Sequence, residues 1–217
     1  MPPPLPAPAA VPAGPLAPSE AARAFIAVVE VVEPVAEAVC RDRTRGLPCD
    51  LQIAIDARPG QPPNAFQTRD ELGRPIVGFT LSLIADARNA DELAFVMGHE
   101  AAHHILGHMA RQQESAISGA MVAGVLASLG GADAETVRSV QDFGASIGAR
   151  RFSKTFELEA DALGAEIALL AGFDPLRGAA FFDRLPDPGD EFLGTHPPNA
   201  ERAAVVRAKV ATLRGGV

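Results

Sequence analysis

The amino-acid sequence predicts an α+β fold that is mostly helical and contains one small sheet of about three strands. Two observations lead to this prediction. Short alternating or β-branched segments, bounded by Pro and Gly, lie in the first part of the chain and are typical of strands. Beyond residue 81 the apolar residues recur at helical spacing. With 217 residues, the chain is long enough for one domain with a substantial core.

The N-terminal segment, residues 1–18, differs in composition from the rest of the chain. It holds eight of the nineteen prolines, interleaved with Ala, Val, Leu and Gly. This composition favours an extended, polyproline-like conformation. The segment lacks the positively charged start and the continuous apolar stretch of a signal peptide. We therefore expect residues 1–18 to form a flexible tail and residues 19–217 to form a single domain.

The first helix is predicted over residues 19–40. Ser19 stands where an N-cap is needed, because its hydroxyl can accept a hydrogen bond from a free backbone amide of the first turn. Pro34 should kink or divide this helix, since proline has no amide hydrogen. Three strands follow, at residues 50–57, 64–67 and 75–80, with a hairpin turn at residues 70–74.

The two cysteines, Cys40 and Cys49, flank a short segment that should turn because it contains Gly46 and Pro48. Cysteines at the two ends of one turn can be joined by a disulfide if their Cα atoms come close enough. A disulfide would indicate an oxidising compartment such as a periplasm. The alternative is a pair of reduced thiols, one at a helix end and one at the start of a strand.

A long helix is predicted from Asn89 to about Gln112. Asn89 and Glu92 have the spacing of a capping box, in which each residue caps the backbone of the other. The apolar segment 117–130 is interrupted by Gly and Ser and is shorter than the roughly 20 apolar residues of a membrane span, so no transmembrane segment is predicted. Further helices are expected at residues 115–129, 133–147, 153–171, 175–184 and 199–213.

The charge balance of the chain is acidic. Nineteen basic and twenty-seven acidic residues give a formal net charge of −8. Nucleic acids and anionic membrane surfaces attract proteins that present a positive surface. The composition therefore argues against both as partners.

Four of the five histidines, His99, His103, His104 and His108, lie within ten residues of one another. Because His99 and His103 are four residues apart, both rings leave the same face of a helix. Two imidazole nitrogens placed in this way can bind one zinc ion at about 2.0–2.1 Å. Glu100, beside the first of them, can hold and deprotonate a water molecule. This is the H-E-x-x-H pattern, which predicts a zinc-dependent endopeptidase with Glu100 as its general base.

A catalytic zinc site needs a third protein ligand and one open position. The metzincin pattern is excluded, because Leu106 and Met109 stand where it requires Gly and His. We favour Glu157, since Asp161 shares its helical face and can accept the free N–H of a ligand histidine. The other candidates are Glu159, His104, His108 and His196.

These segments, in their order along the chain, resemble metallopeptidase family 48, the gluzincin-type zinc endopeptidases that include the CAAX prenyl protease, HtpX and BepA. The resemblance extends from about residue 64 to residue 213. The transmembrane helices of the first two branches and the helical repeats of the third are missing. The matching segments are Asn64-Ala65-Phe66, Asp91-Glu92-Leu93-Ala94, Gly98 to His103 with His108, Glu157 to Asp161, Gly172 to Pro175, and Thr195 to Pro198 with Arg202.

The resemblance implies a zincin-like metallopeptidase domain that binds one Zn²⁺ per chain. It implies that the ligands are His99, His103 and Glu157, with Glu100 as the general base. Asp161 would orient a ligand histidine. The expected substrates are extended or misfolded polypeptides, and the expected role is protein quality control in the cell envelope.

The resemblance also implies roles at the substrate side of the site. His196 would return near the metal and stabilise the oxyanion, and Arg202 would help to place the segment that carries it. Asn64, Ala65 and Phe66 resemble the edge strand along which an extended peptide pairs.

Two other functions compete with an active protease. In the first, the protein binds zinc but is latent or chaperone-like, because His104 or His108 fills the open position. In the second, the helix of the motif is only structural and the chain is an interaction module without zinc. For location, the cysteines and the resemblance favour a periplasm or cell envelope, with the cytoplasm as the alternative.

Overall fold

The computed structural model of the protein describes residues 14–151, 153–184 and 197–215. In this part of the chain a three-stranded sheet is surrounded by helices, which confirms the predicted helical α+β class. The strands are β1 (Gln52–Asp56), β2 (Ala65–Arg69) and β3 (Pro75–Thr80). The helices are α1 (Pro18–Arg43), α2 (Leu81–Asp86), α3 (Ala90–Ile105), α4 (His108–Leu129), α5 (Ala134–Arg151), α6 (Ser153–Leu170), α7 (Pro175–Gly178) and α8 (Asn199–Gly215), with a 3-10 helix at Ala179–Arg184.

The sheet is mixed, with strand order β1-β3-β2. The central strand β3 runs parallel to β1 and antiparallel to β2, and nearly all of its side chains are buried. The predicted hairpin turn is present, since the backbone amide of Asp70 donates to the carbonyl oxygen of Arg74 over 3.0 Å. Within the described residues β2 pairs with β3 alone, so its other edge is open to a further strand.

Helix α1 departs from the prediction at both prolines. Pro18 occupies the first turn and Ala17 is the N-cap, so Ser19 is not the cap. Proline suits that position because its φ is already helical and its missing amide hydrogen is not needed there. Pro34 does not divide the helix. It lies on the exposed face, while Val32 on the opposite face is buried in the core.

The tail predicted over residues 1–18 overlaps the described residues only at its end, and residues 1–13 lie outside them. Leu16 packs against the core, and its backbone amide donates to the carbonyl oxygen of Ala87 over 3.0 Å. The folded part therefore begins before residue 19.

A disulfide joins Cys40, near the end of α1, to Cys49, just before β1. Their Cα atoms are 5.7 Å apart, and both side chains are buried. The disulfide therefore fixes the first helix to the start of the sheet across the turn between them.

Helix α3 passes through the centre of the domain, between α1 and α6. Its N-cap is Asn89, as predicted, and the side-chain oxygen of Asn89 accepts a hydrogen bond from the Glu92 amide over 3.0 Å. The Glu92 carboxylate, however, accepts from the amide of Arg88 instead of that of Asn89. A glycine in each helix lets α3 and α6 approach closely, since a Cβ at Gly98 would lie only 2.7 Å from the carbonyl oxygen of Gly164.

The long helix predicted from Asn89 to Gln112 is interrupted. α3 ends at Ile105, and Gly107 takes a left-handed conformation with φ 67° before α4 begins. The amide of Gly107 donates to the carbonyl oxygen of His104 over 3.0 Å and so caps the last turn of α3. The break changes the direction of the chain immediately before His108.

Helices α4 and α5 form an antiparallel hairpin that packs mainly within itself. The outer face of α4 exposes large apolar side chains, among them Met121, Leu126 and Leu129. None of the described helices has the length and hydropathy needed to cross a membrane.

Candidate metal centre

Three of the side chains proposed to bind metal meet at one point. The Nε2 atoms of His99 and His103 lie 3.0 Å apart. The carboxylate of Glu157 reaches this point from α6, with its oxygens 3.6 Å from Nε2 of His99 and 3.4 Å from Nε2 of His103. Ligands held tetrahedrally at about 2.0–2.1 Å from a zinc ion are about 3.3 Å from one another. The three separations therefore match a zinc site.

Two local features bring these side chains together. The four-residue spacing on α3 places both histidine rings on one face, where their centroids are 4.7 Å apart. The close approach of α3 and α6 at Gly98 and Gly164 then brings the first turns of α6 against that face. Within the described part of the chain, this trio forms the one cluster whose donor atoms could hold a metal ion.

Asp161 lies directly behind His99. Its Oδ1 is 2.9 Å from Nδ1 of His99, and its side chain is completely buried. Arg202, on α8, donates to both oxygens of Asp161 over 2.7 Å. Burial opposes the ionisation of Asp161, but its contacts with Arg202 and His99 hold its pKa below the ordinary value. The ionised carboxylate can only accept, so it favours a proton on Nδ1 of His99 and leaves Nε2 free to bind metal.

His103 has a different neighbour on the side away from the cluster. Its Nδ1 lies 2.9 Å from Nδ1 of His108, the first residue of α4. Nε2 of His108 lies 3.0 Å from a carboxylate oxygen of Glu159, which also accepts from Arg111 over 2.6 Å. Burial and the adjacent His103 lower the pKa of His108 to about 4, so it is neutral at pH 7.

Glu100 is half-buried and lines the cleft in front of the histidines. Burial raises the pKa of its carboxyl, while the neighbouring His99 and His103 act in the opposite direction. A carboxylate with few solvating waters is a better proton acceptor than one in bulk water. Glu100 therefore lies in the cleft with a carboxylate that accepts a proton more readily than a solvated one.

The cleft in front of the cluster has a volume of about 570 Å³. On one side it is bounded by the edge strand β2, from which Ala65 and Gln67 line it, together with Asn64 just before the strand. Phe66 is not among the lining residues, and its ring packs across Gly78 of the neighbouring strand.

The sequence did not predict the apolar side chains of the cleft. They come from α3, from the 3-10 helix and from the start of α4 and α6, which are separate parts of the chain. The Phe residues of the 3-10 helix could have been suspected, since they lie close after the matched segment at residues 172–175. The apolar lining includes Phe95, Val96, Met109, Phe156, Phe181 and Phe182.

The ring nitrogens of His104 and His108 contact groups other than the Nε2 atoms of His99 and His103, although His108 also lines the cleft. His104 is 1% exposed, and its Nε2 lies 2.6 Å from the carbonyl oxygen of Pro48 in the disulfide loop. His108 contacts His103 on the side remote from His99. In this structure neither ring nitrogen faces the point where His99, His103 and Glu157 meet, and the interpretation of one of them as a blocking ligand stays a prediction. His196 lies outside the described residues.

The profile of peptidase family M48 matches residues 28–210, a span that contains every side chain of the cluster. No solved structure matches the chain significantly. Since the profile covers most of the chain, this protein belongs to peptidase family M48, a family of metallopeptidases.

Proposed function

We propose that the protein is a zinc-dependent endopeptidase in which His99, His103 and Glu157 hold the ion. The observation that carries this proposal is the spacing of their donor atoms, 3.0 to 3.6 Å, which is that of zinc ligands. Zinc in such a site supplies a Lewis acid that polarises a carbonyl group and lowers the pKa of water towards about 7.

In this proposal Glu100 is the general base. It lies in the cleft, next to His99 in sequence, and burial raises its pKa towards the range in which a carboxylate accepts a proton effectively. It takes the proton of the attacking water and can return it to the departing amine. Asp161 keeps His99 in the tautomer that binds metal.

The substrate is proposed to be an extended polypeptide. The open edge of β2 offers backbone donors and acceptors to a further strand, and Asn64 and Ala65 place that edge beside the cleft. Phe181 and Phe182 form an apolar wall that suits an apolar substrate side chain. Unfolded polypeptides expose such segments, whereas folded proteins bury them.

Two further roles follow from the family resemblance. His196 is proposed to stabilise the oxyanion of the tetrahedral intermediate. Arg202 is proposed to act near the same segment, since Pro197 begins the short connection into α8. Its contacts with Asp161 support a role in holding the site together.

The disulfide supports a location in an oxidising compartment. Disulfides persist in the bacterial periplasm and in secreted proteins and are rare in the cytosol. We therefore propose a periplasmic or cell-envelope location and a role in protein quality control there. Because both side chains are buried, alkylation of acid-quenched and denatured extracts, before and after reduction, would show whether Cys40 and Cys49 are oxidised in cells.

The proposed activity is tested with Glu100→Gln. The amide keeps the shape of the side chain but cannot accept the proton, so we expect casein cleavage to fall by at least about 100-fold while one zinc per chain is retained. Metal analysis and a cleavage assay with and without chelator measure both quantities. Glu114→Gln, on the exposed face of α4, is the matched control and should cleave casein normally. Undiminished cleavage by Glu100→Gln would show that another group is the base.

A further inference from the structure

We propose that His108 is a positioning residue that, together with Glu159, fixes the metal-binding tautomer of His103. The inference rests on the proposed zinc site and goes beyond it, because the profile match and the ligand cluster assign no role to His108. In this proposal the histidine supports a metal ligand and is not itself one.

Glu159 determines which ring nitrogen of His108 carries the hydrogen. Nε2 of His108 lies 3.0 Å from a carboxylate oxygen of Glu159. Arg111 donates to the same carboxylate over 2.6 Å, and this ion pair keeps the group in its ionised, hydrogen-bond-accepting form. Because an ionised carboxylate only accepts hydrogen bonds, Nε2 of His108 must carry the hydrogen.

The tautomer of His108 determines which nitrogen of His103 carries the hydrogen. In a neutral imidazole one nitrogen donates and the other accepts, so Nδ1 of His108 is the acceptor. It lies 2.9 Å from Nδ1 of His103, which must therefore carry a hydrogen and donate it. Nε2 of His103 is left with a lone pair, and this is the atom that faces His99 and Glu157.

The same result is obtained independently at the other histidine. Asp161 favours a proton on Nδ1 of His99 and so leaves Nε2 of that ring free. Two carboxylates on α6, Asp161 and Glu159, thus select the same tautomer in the two rings of α3. One acts directly and the other acts through His108.

The position of His108 is fixed by packing. Its side chain is 4% exposed, and its ring is stacked on Phe156 with centroids 4.6 Å apart and planes 12° apart. The guanidinium of Arg111 lies over the same Phe156 ring, 4.3 Å from its centroid. Rotation of the His108 ring, or its replacement by water, would therefore break these contacts.

The test uses His108→Phe in the full-length protein. Phenylalanine preserves the ring and its stacking but has no nitrogen to accept the hydrogen of His103. We expect the Kd for zinc, measured by competition with a chromogenic chelator, to rise about 10- to 100-fold, as is usual when such an outer partner of a ligand is lost. The melting temperature of the zinc-free protein should change little.

His108→Asn is the conservative variant. Its Oδ1 can take the place of the ring Nδ1 as acceptor, so we expect it to recover part of the zinc affinity lost in His108→Phe. ¹⁵N-histidine NMR of the zinc-loaded protein gives a second readout. The hydrogen on Nδ1 of His103 should be protected from exchange in the wild type and exchange faster in His108→Phe.

The outcomes separate this inference from the proposed function. If the wild type binds no zinc, the proposed function fails. If the wild type binds zinc and His108→Phe binds it equally well, the inference is overturned and the function stands. If His108→Phe does not fold, Glu159→Ala is decisive, because this partly exposed side chain can be removed with little effect on packing. Wild-type zinc affinity in Glu159→Ala would then overturn the inference.

Discussion

At the scale of single residues, the least replaceable contact is the ion pair between Arg202 and Asp161. Both side chains are buried, at 8% and 0% exposure. The two hydrogen bonds of 2.7 Å satisfy both oxygens of the carboxylate, and Arg202 also stacks over Phe182 at 4.1 Å. Leaving a buried charge without its partner destabilises a protein by more than the intact pair stabilises it.

The substitution Arg202→Met removes the charge and keeps most of the volume of the side chain. It leaves the Asp161 carboxylate buried with His99 as its remaining partner, so we expect the free energy of unfolding to fall by about 3–5 kcal/mol. Urea denaturation of the zinc-free protein measures this loss. Arg58→Met, which removes a fully exposed partner of Asp56, should leave the urea midpoint nearly unchanged. Equal midpoints for the two variants would contradict the assignment.

At the scale of secondary-structure elements, the break between α3 and α4 organises the site. Gly107 lies at φ 67°, where a side chain is strained even though no atom lies close to its Cβ position. The break turns α4 so that His108 faces back towards His103. A continuous helix would place residues 103 and 108 about 500° apart around the axis, or about 140° on the helical wheel, and the two rings would not meet.

Gly107→Ala should therefore destabilise the protein by about 1–2 kcal/mol, the cost of a left-handed conformation for a residue with a Cβ. Thermal and urea denaturation measure the change. Gly130→Ala is the control, because Gly130 ends α4 with a right-handed φ of −76° and has room for a methyl group. It should be neutral or slightly stabilising. A neutral effect of Gly107→Ala would mean that the junction can rearrange.

The sequence was most informative where chemistry follows helical spacing. The pairs His99 with His103 and Glu157 with Asp161 are four residues apart, and the structure brings both pairs to one point. The role of His108 was not predictable, since it depends on the change of direction at one glycine. The helix C-cap signal of Gly107 was present in the sequence, but the apolar pattern on either side hid it.

At the scale of the whole molecule, the disulfide connects the first helix to the sheet and, through one hydrogen bond, to α3. Nε2 of His104 lies 2.6 Å from the carbonyl oxygen of Pro48, which precedes Cys49. The loop closed by the disulfide spans a sequence separation of 9. Contacts of this kind, between segments far apart in sequence, could not be read from the sequence alone.

Reduction of the disulfide should lower the free energy of unfolding by about 2–3 kcal/mol, as expected from the chain entropy of a loop of this length. Guanidinium denaturation with and without dithiothreitol measures the difference. The double variant Cys40→Ala with Cys49→Ala should unfold at one midpoint whether or not the reductant is present. A midpoint of the wild type that does not respond to full reduction would show that the loop is held by other contacts.

The close spacing of the ligand atoms affects the stability of the zinc-free protein. The two imidazole Nε2 atoms and a carboxylate converge on a space of a few ångströms before any metal binds. The folded chain holds them there through the close packing of its helices at Gly98 and Gly164. Part of its stability is thus spent on preorganisation, which lowers the cost of metal binding and is the usual trade between stability and activity at a functional site.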